Sequence, residues 1–175
     1  MNPSYFRIRL LFDEAKPRVA ALVGVGGQLE LVATDCMSAI RLACTPEGDW
    51  RGPALFMYEK DGWSVFEDLT GRFGAQPASA WLRFAQADAF VFAGYNDAIG
   101  SAELVVITDG QVVREFSRDR DNPESNVDVG LLPSENASPF QGWVDVASFV
   151  DDDRSFGSDD GWLWVGEATA RIIIS

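Results

Sequence analysis

Two Asp-Gly pairs, each set between runs of strand-forming residues, constrain this chain more than any other feature. Ala54 to Lys60, Asp61-Gly62 and Trp63 to Asp68 make one unit, and Glu103 to Thr108, Asp109-Gly110 and Gln111 to Phe116 make the other. A two-residue type I′ turn needs positive φ at both central positions, which Asp tolerates and Gly adopts freely, and its twist matches that of the flanking strands. Each unit is therefore expected to be a β-hairpin. The valines and isoleucine of the second favour strand, and two hairpins imply a largely antiparallel sheet.

The rest of the pattern adds strands and helices to that sheet. Phe6, Ile8, Leu10 and Phe12 alternate with Arg7, Arg9 and Leu11, the period-2 signature of a strand with one face buried. Residues 14–25 fit either a helix starting near Asp13 or a buried strand, and residues 28–33 and 39–44 read as extended. Two segments carry a proline four residues before a tryptophan, Pro77 with Trp81 and Pro139 with Trp143, and proline suits a first helical turn. In the second segment Ser138 is the expected N-cap, and Phe140, Trp143, Val144, Ala147 and Val150 form one apolar face. Residues 117–138, with Arg118-Asp119-Arg120-Asp121-Asn122-Pro123-Glu124, read as a polar loop. Gly161 to Gly166 and Arg171 to Ile174 read as closing strands, with Trp162 and Trp164 on one face. The spacing between the two prolines differs from that between the two turns, so there is no fixed-period repeat. The expected architecture is a single α+β domain over residues 1–175: a mostly antiparallel twisted sheet built from hairpins, with two or three helices packed on it.

Composition supports one such domain, because 47% hydrophobic residues and six tryptophans supply a core without staples. Charge is less evenly spread. Residues 1–60 carry seven acidic and seven basic side chains, while residues 61–175 carry twenty against seven, the whole net charge of −13. With no linker at the boundary, this marks an uneven surface rather than a second domain. A negative surface attracts a basic protein partner and disfavours nucleic acid, which needs a basic stripe. Arg7, Arg9, Asp13 and Glu14 interrupt the first apolar stretch, and no run approaches the ~20 residues of a membrane span, so a cytoplasmic location without a membrane role is expected. Cys36 and Cys44, with neither CxxC spacing nor histidine nearby, read as buried free thiols.

The absence of histidine excludes Ser-His-Asp and Cys-His catalysis and HExxH zinc chemistry. Val23-Gly24-Val25-Gly26-Gly27 lacks the third glycine of a dinucleotide fingerprint, Leu29 standing there, and no GK[ST] follows, so a tight turn is the better account. The stretch Asp151-Asp152-Asp153-Arg154-Ser155-Phe156-Gly157-Ser158-Asp159-Asp160 has oxygen donors enough for a divalent cation. It fails the EF-hand register, however, with Phe156 where glycine and Trp162 where glutamate should stand. No metal or cofactor is expected. Carboxylates at a helix C-terminus oppose the macrodipole by about 0.3–1 kcal/mol. Either a basic partner offsets that cost or the aspartates turn out into solvent. Asp151, Asp152, Asp153, Asp159 and Asp160 are therefore the expected interface, with Trp162 as its aromatic anchor. Trp81 and Trp143 belong to apolar helical stripes and read as core. The pairs Glu67-Asp68 and Glu115 with Asp119 could act as acid and base, but strand neighbours point to opposite faces and a polar edge explains Glu67 and Asp68 better.

Val65-Phe66-Glu67-Asp68-Leu69, Phe92-Ala93-Gly94-Tyr95-Asn96-Asp97 and Trp143 to Asp151 resemble segments of bacterial immunity proteins from polymorphic and contact-dependent toxin systems, over about residues 54–153. The resemblance implies a small cytoplasmic protein that neutralises a cognate toxin, and it carries over no functional residue. The expected function is thus a non-enzymatic, protein-binding one. The alternative is a carboxylate-based enzyme or carbohydrate binder with a tryptophan-lined cleft.

Overall fold

A computed structural model describes residues 4–24, 29–74, 76–136, 138–151 and 160–167 of the chain. The two Asp-Gly hairpins form as expected: β3 (Ala54–Lys60) with β4 (Trp63–Asp68), and β6 (Ser101–Thr108) with β7 (Gln111–Arg118). Both turns hold positive φ at both positions, 51° and 78° at Asp61 and Gly62, 51° and 69° at Asp109 and Gly110. The strands of the described residues form one antiparallel sheet in the order β2-β9-β3-β4-β1-β5-β6-β7-β8. Here β1 is Ser4–Ile8, β2 Val32–Thr34, β5 Phe90–Asn96, β8 Val127–Gly130 and β9 Gly161–Val165. Strands from both sides of the residue-61 charge boundary interleave, so that boundary divides no domains. The fold is α+β.

Among the described residues four helices cover the sheet on both faces, α1 (Phe12–Leu22), α2 (Cys36–Leu42), α3 (Ala78–Ala85) and α4 (Trp143–Asp151). One face packs Phe6, Ile8, Phe66, Phe92 and Ile107 under α1 and α3; the other packs Tyr5, Phe56, Val65, Leu104 and Phe116 under α2 and α4. Phe6 is the hub of the first layer, stacked on Phe66 at 4.8 Å and 5.3 Å from the Trp81 ring. A strand that buries both faces reads as a continuous apolar run, as Phe90-Val91-Phe92-Ala93 does.

Several expectations need correction. Leu10 and Phe12 do not continue β1, because Phe12 opens α1, with its N–H bonded to Glu59 Oε1 at 3.0 Å and Asp13 and Glu14 in the favourable first turn. The ambiguity over residues 14–25 resolves as helix through Leu22, since Phe12, Ala15, Val19 and Leu22 share a buried face that outweighs the bond lost at Pro17. Residues 39–44 are not extended. Asp35 caps α2 through a Ser38 N–H bond of 2.8 Å, while Ala39 and Ala43 are buried against the sheet, so helices outnumber the two or three expected.

Ser138 does not cap α4; the N–H groups of Gln141 and Gly142 donate instead to Asp145 Oδ2 at 2.7 and 3.1 Å, and the helix begins at Trp143. Its buried face is Val146, Ala147 and Val150, while Val144 is 55% exposed. The supposed polar loop of residues 117–138 holds the end of β7, the strand β8, and single 3₁₀ turns at Pro123–Ser125 and Pro133–Glu135. The expected strand Arg171 to Ile174 lies outside the described residues. Among the described residues no helix is long and apolar enough to cross a membrane.

Candidate functional site

On the face covered by α1 and α3, α3 packs against β6 and β7, next to the outermost strand β8. There the apolar rows of the sheet give way to carboxylates. In the antiparallel register Val105 pairs with Glu115, and Glu103 with Ser117. Directly paired residues project to the same face, so Glu103 and Glu115 are diagonal neighbours on it, roughly 7–8 Å apart at their backbones. Together with Asp119, Gln76, Phe92 and Ile99 they line a cleft of about 500 Å³. Val129 pairs with Glu115 on the outermost strand and stands on this same face, 60% exposed; Leu131, just beyond the strand, is 52% exposed.

The positive charges at this end are largely taken up internally. Arg114, on the opposite face and 1% exposed, donates from Nε and Nη2 to the two oxygens of Glu135 at 2.8 Å each, and from Nη1 to Asp128 at 2.8 Å. Glu135 also accepts from the N–H groups of Leu132 at 3.0 Å and Phe140 at 3.2 Å, which pins the 132–140 segment to the sheet. Burial disfavours the Glu135 anion, but Arg114 and those N–H groups outweigh it and hold the carboxyl below the usual glutamate range. Burial likewise works against the Arg114 cation, and its bonds to Glu135 and Asp128 more than offset that, raising its pKa. Arg118 reaches Asp128 at 3.2 Å and lies 5.2 Å over the Phe116 ring. Glu103, Glu115 and Asp119 line the cleft together with Arg118, which is paired to Asp128, within a segment, residues 97–136, that has nine acidic side chains against three arginines.

Of the residues singled out in the sequence, Glu115 and Asp119 line this cleft, whereas Asp160 and Trp162 of the expected interface do not. Asp151 is the last residue of α4, and Asp152, Asp153 and Asp159 lie outside the described residues. Asp160 is exposed at the start of β9. Four strands stand between β9 and β6, placing the two regions about 24 Å apart at about 4.8 Å per spacing. Trp162 is half-buried in β9 and stacks on Phe12 at 4.5 Å, so one ring face belongs to the core.

Trp81 is fully buried, whereas Trp143 is only half-buried. No tryptophan lines the acidic cleft. Nor are Glu67 and Asp68 an exposed polar edge. They lie inside the sheet on β4, where Glu67 accepts from Tyr58 and Asp68 accepts from the Ser4 hydroxyl at 2.7 Å and the Phe73 N–H at 2.8 Å.

Cys36 and Cys44 form no disulfide and are half-buried rather than fully buried. Among the described residues no group of three or more His, Cys, Asp or Glu is placed to hold a metal ion. The signal for the cleft was present in the sequence, since Glu103 and Glu115 replace apolar residues in rows that hold Val105 and Ile107 further along. Recognising it required the register. Comparison with family models, with curated proteins and with solved structures finds no match to this chain.

Proposed function

We propose that this protein is a non-enzymatic binding module that meets a basic protein partner through its acidic surface, in the role of an immunity protein neutralising a cognate toxin. The observation that carries the reading is the cleft lined by Glu103, Glu115 and Asp119 together with Arg118, whose charge is paired to Asp128, while Arg114 is engaged by Glu135 and Asp128 on the opposite face. A surface built this way draws in a cationic partner, and such steering raises association rates from about 10⁵–10⁶ toward 10⁸–10⁹ M⁻¹s⁻¹ at low salt. The toxin role rests on the resemblance in residues 54–153 and on the absence of histidine chemistry.

Affinity capture from native lysate at low and moderate salt, followed by expression of each captured protein alone, tests this. A basic captured protein that is toxic without this chain and harmless with it supports the role. Glu103→Gln/Glu115→Gln/Asp119→Asn should then slow association and flatten its salt dependence. The set Asp151, Asp152, Asp153, Asp159 and Asp160 changed to Asn tests the second acidic stretch in the same way. If neither set alters rate or salt dependence, the acidic-surface reading is wrong.

One observation favours a second reading, a carboxylate-based enzyme or carbohydrate binder: Glu103 and Glu115 share a face of the sheet and line one cleft, as a paired acid and base would. Hydrolysis of a glycan panel that is abolished by Glu115→Gln would establish it in place of the first.

A further inference from the structure

We infer that Asp61 is a site of self-modification, at which the side-chain carboxyl closes on the backbone nitrogen of Gly62 and turns the tip of the β3–β4 hairpin into an isoaspartyl linkage. The other two Asp-Gly pairs of the chain, Asp109-Gly110 and Asp160-Gly161, are held back by packing. The inference is independent of the binding reading above.

The chemistry needs no co-reactant but water. The Gly62 nitrogen attacks Asp61 Cγ and gives up its proton, the bond from Cγ to its hydroxyl breaks, and water leaves a five-membered succinimide. Water then opens the ring at either carbonyl. Opening at the side-chain carbonyl restores aspartate, and opening at the main-chain carbonyl leaves the chain running through Cβ and Cγ, with no net change in composition. A following glycine favours closure because it sets no Cβ beside the attacking nitrogen. What remains to be supplied is the approach of Cγ to that nitrogen, which requires the intervening peptide unit to rotate out of its turn conformation.

The structure grants that rotation unequally. At the first pair both residues are exposed, and the β3–β4 ladder closes behind them at Lys60 and Trp63. No described atom beyond the chain neighbours lies within 4 Å of the place a Gly62 Cβ would take. The second pair has nearly the same backbone, φ 51° and 69° against 51° and 78°, but it rests on the residues that follow α3. The Gln86 carbonyl oxygen stands 3.4 Å and Ala87 Cα 3.9 Å from the corresponding point at Gly110. The third pair is locked. Gly161 is buried in β9 opposite Thr34, and a Cβ there would lie 2.5 Å from the Phe56 ring and 2.6 Å from the Met57 carbonyl oxygen. Isomerisation at Asp61 adds one carbon–carbon bond of about 1.5 Å to a turn whose length sets the strand register. The first pairing it disturbs is Lys60 with Trp63, whose ring carries the Arg7 and Arg9 guanidinium groups at 4.4 and 5.6 Å.

The test is to age the full chain at mildly acidic pH and physiological temperature, native and in urea. Fragmentation mass spectrometry then reads isoaspartate at each of the three positions, and lost cleavage by an aspartate-specific protease gives a second readout. In urea the three pairs should react at similar rates, because the turn and packing constraints are gone. In the native chain Asp61 should react several-fold faster than Asp109, and Asp160 should be slowest. Asp61→Glu, which would have to close a six-membered ring, should remove the product at that position and leave the rate at Asp109 unchanged. Asp61→Asn and Asp109→Asn, read by the mass change on loss of ammonia, should repeat the native ranking. Equal native rates at Asp61 and Asp109, a faster reaction at Asp109 or Asp160, or no product at Asp61 in the time the unfolded chain forms it would overturn the inference.

Discussion

Replacing Glu135 by glutamine tests the energetic centre of the β7–β8 end. Glu135 is fully buried and accepts four hydrogen bonds, from Arg114 Nε and Nη2 and from the N–H groups of Leu132 and Phe140. All four partners are donors, so the glutamine NH₂ must face two of them whichever way it is turned, and the Arg114 cation keeps only the half-exposed Asp128 as a counter-ion. Removing one member of a buried pair costs about 3–5 kcal/mol. That is a large share of the about 5–15 kcal/mol that stabilises a domain.

Arg114→Met should cost a similar amount, by leaving the Glu135 anion buried. The double variant Arg114→Met/Glu135→Leu should cost well under the sum of the two, because its remaining penalty is two backbone N–H groups at about 1–3 kcal/mol each. Urea unfolding of the four proteins gives the cycle. A loss below about 1 kcal/mol for Glu135→Gln, or additivity in the double variant, would refute the assignment of this pair as the clamp. The pH dependence follows the same cause. A carboxyl held below its unfolded value contributes fully above the unfolded pKa of about 4.3 and loses that contribution as pH falls through the folded value. The stability gap between the wild type and Glu135→Gln should therefore be constant near neutrality and shrink on acidification below about pH 4.3.

Other substitutions probe the frame that presents the cleft. Asp68→Asn should destabilise the protein by about 2–3 kcal/mol in urea titration, since this buried carboxylate accepts from Ser4, Thr70 and Phe73 and the amide cannot serve every donor. Trp81→Ala should cost about 3–5 kcal/mol by opening a void among Phe6, Phe90 and Phe92, read as a lowered unfolding midpoint. Gly130→Ala should loosen β8 specifically, because Gly130 has φ +77° and a Cβ there would collide with the Val113 carbonyl. Amide exchange should quicken at Val127–Gly130 while the β1, β4 and β5 amides stay protected.

Where a local rule acted alone, the sequence was legible. Both hairpins follow from Asp-Gly turn chemistry, and the boundaries of β3 and β4 match because positive φ at Asp61 and Gly62 fixes the pairing register. The start of α3 after Pro77 follows from proline's missing donor. Misreadings arose where two local preferences competed. The alternation of Phe6, Ile8, Leu10 and Phe12 is equally a strand followed by the buried face of a helix, and only the Phe12 N–H bond to Glu59, 47 residues away, decides where one ends. The residue 39–44 segment reads as extended until Asp35 is seen to cap it. Arg114 and Glu135 are unremarkable polar residues in a linear reading, and burial alone makes them a clamp.

The sequence by itself determined the antiparallel class, the two turns, the α+β composition and the excess of negative charge after residue 60, because each depends on residues near in the chain or on a simple count. Tertiary structure decided which carboxylates meet. Glu103 and Glu115 line one cleft from neighbouring strands, Arg114 is drawn into buried bonds with Glu135, and Val129 on the outermost strand stays exposed. These outcomes depend on cross-strand register and on which strand lies at the edge, and both are set by packing between residues distant in sequence.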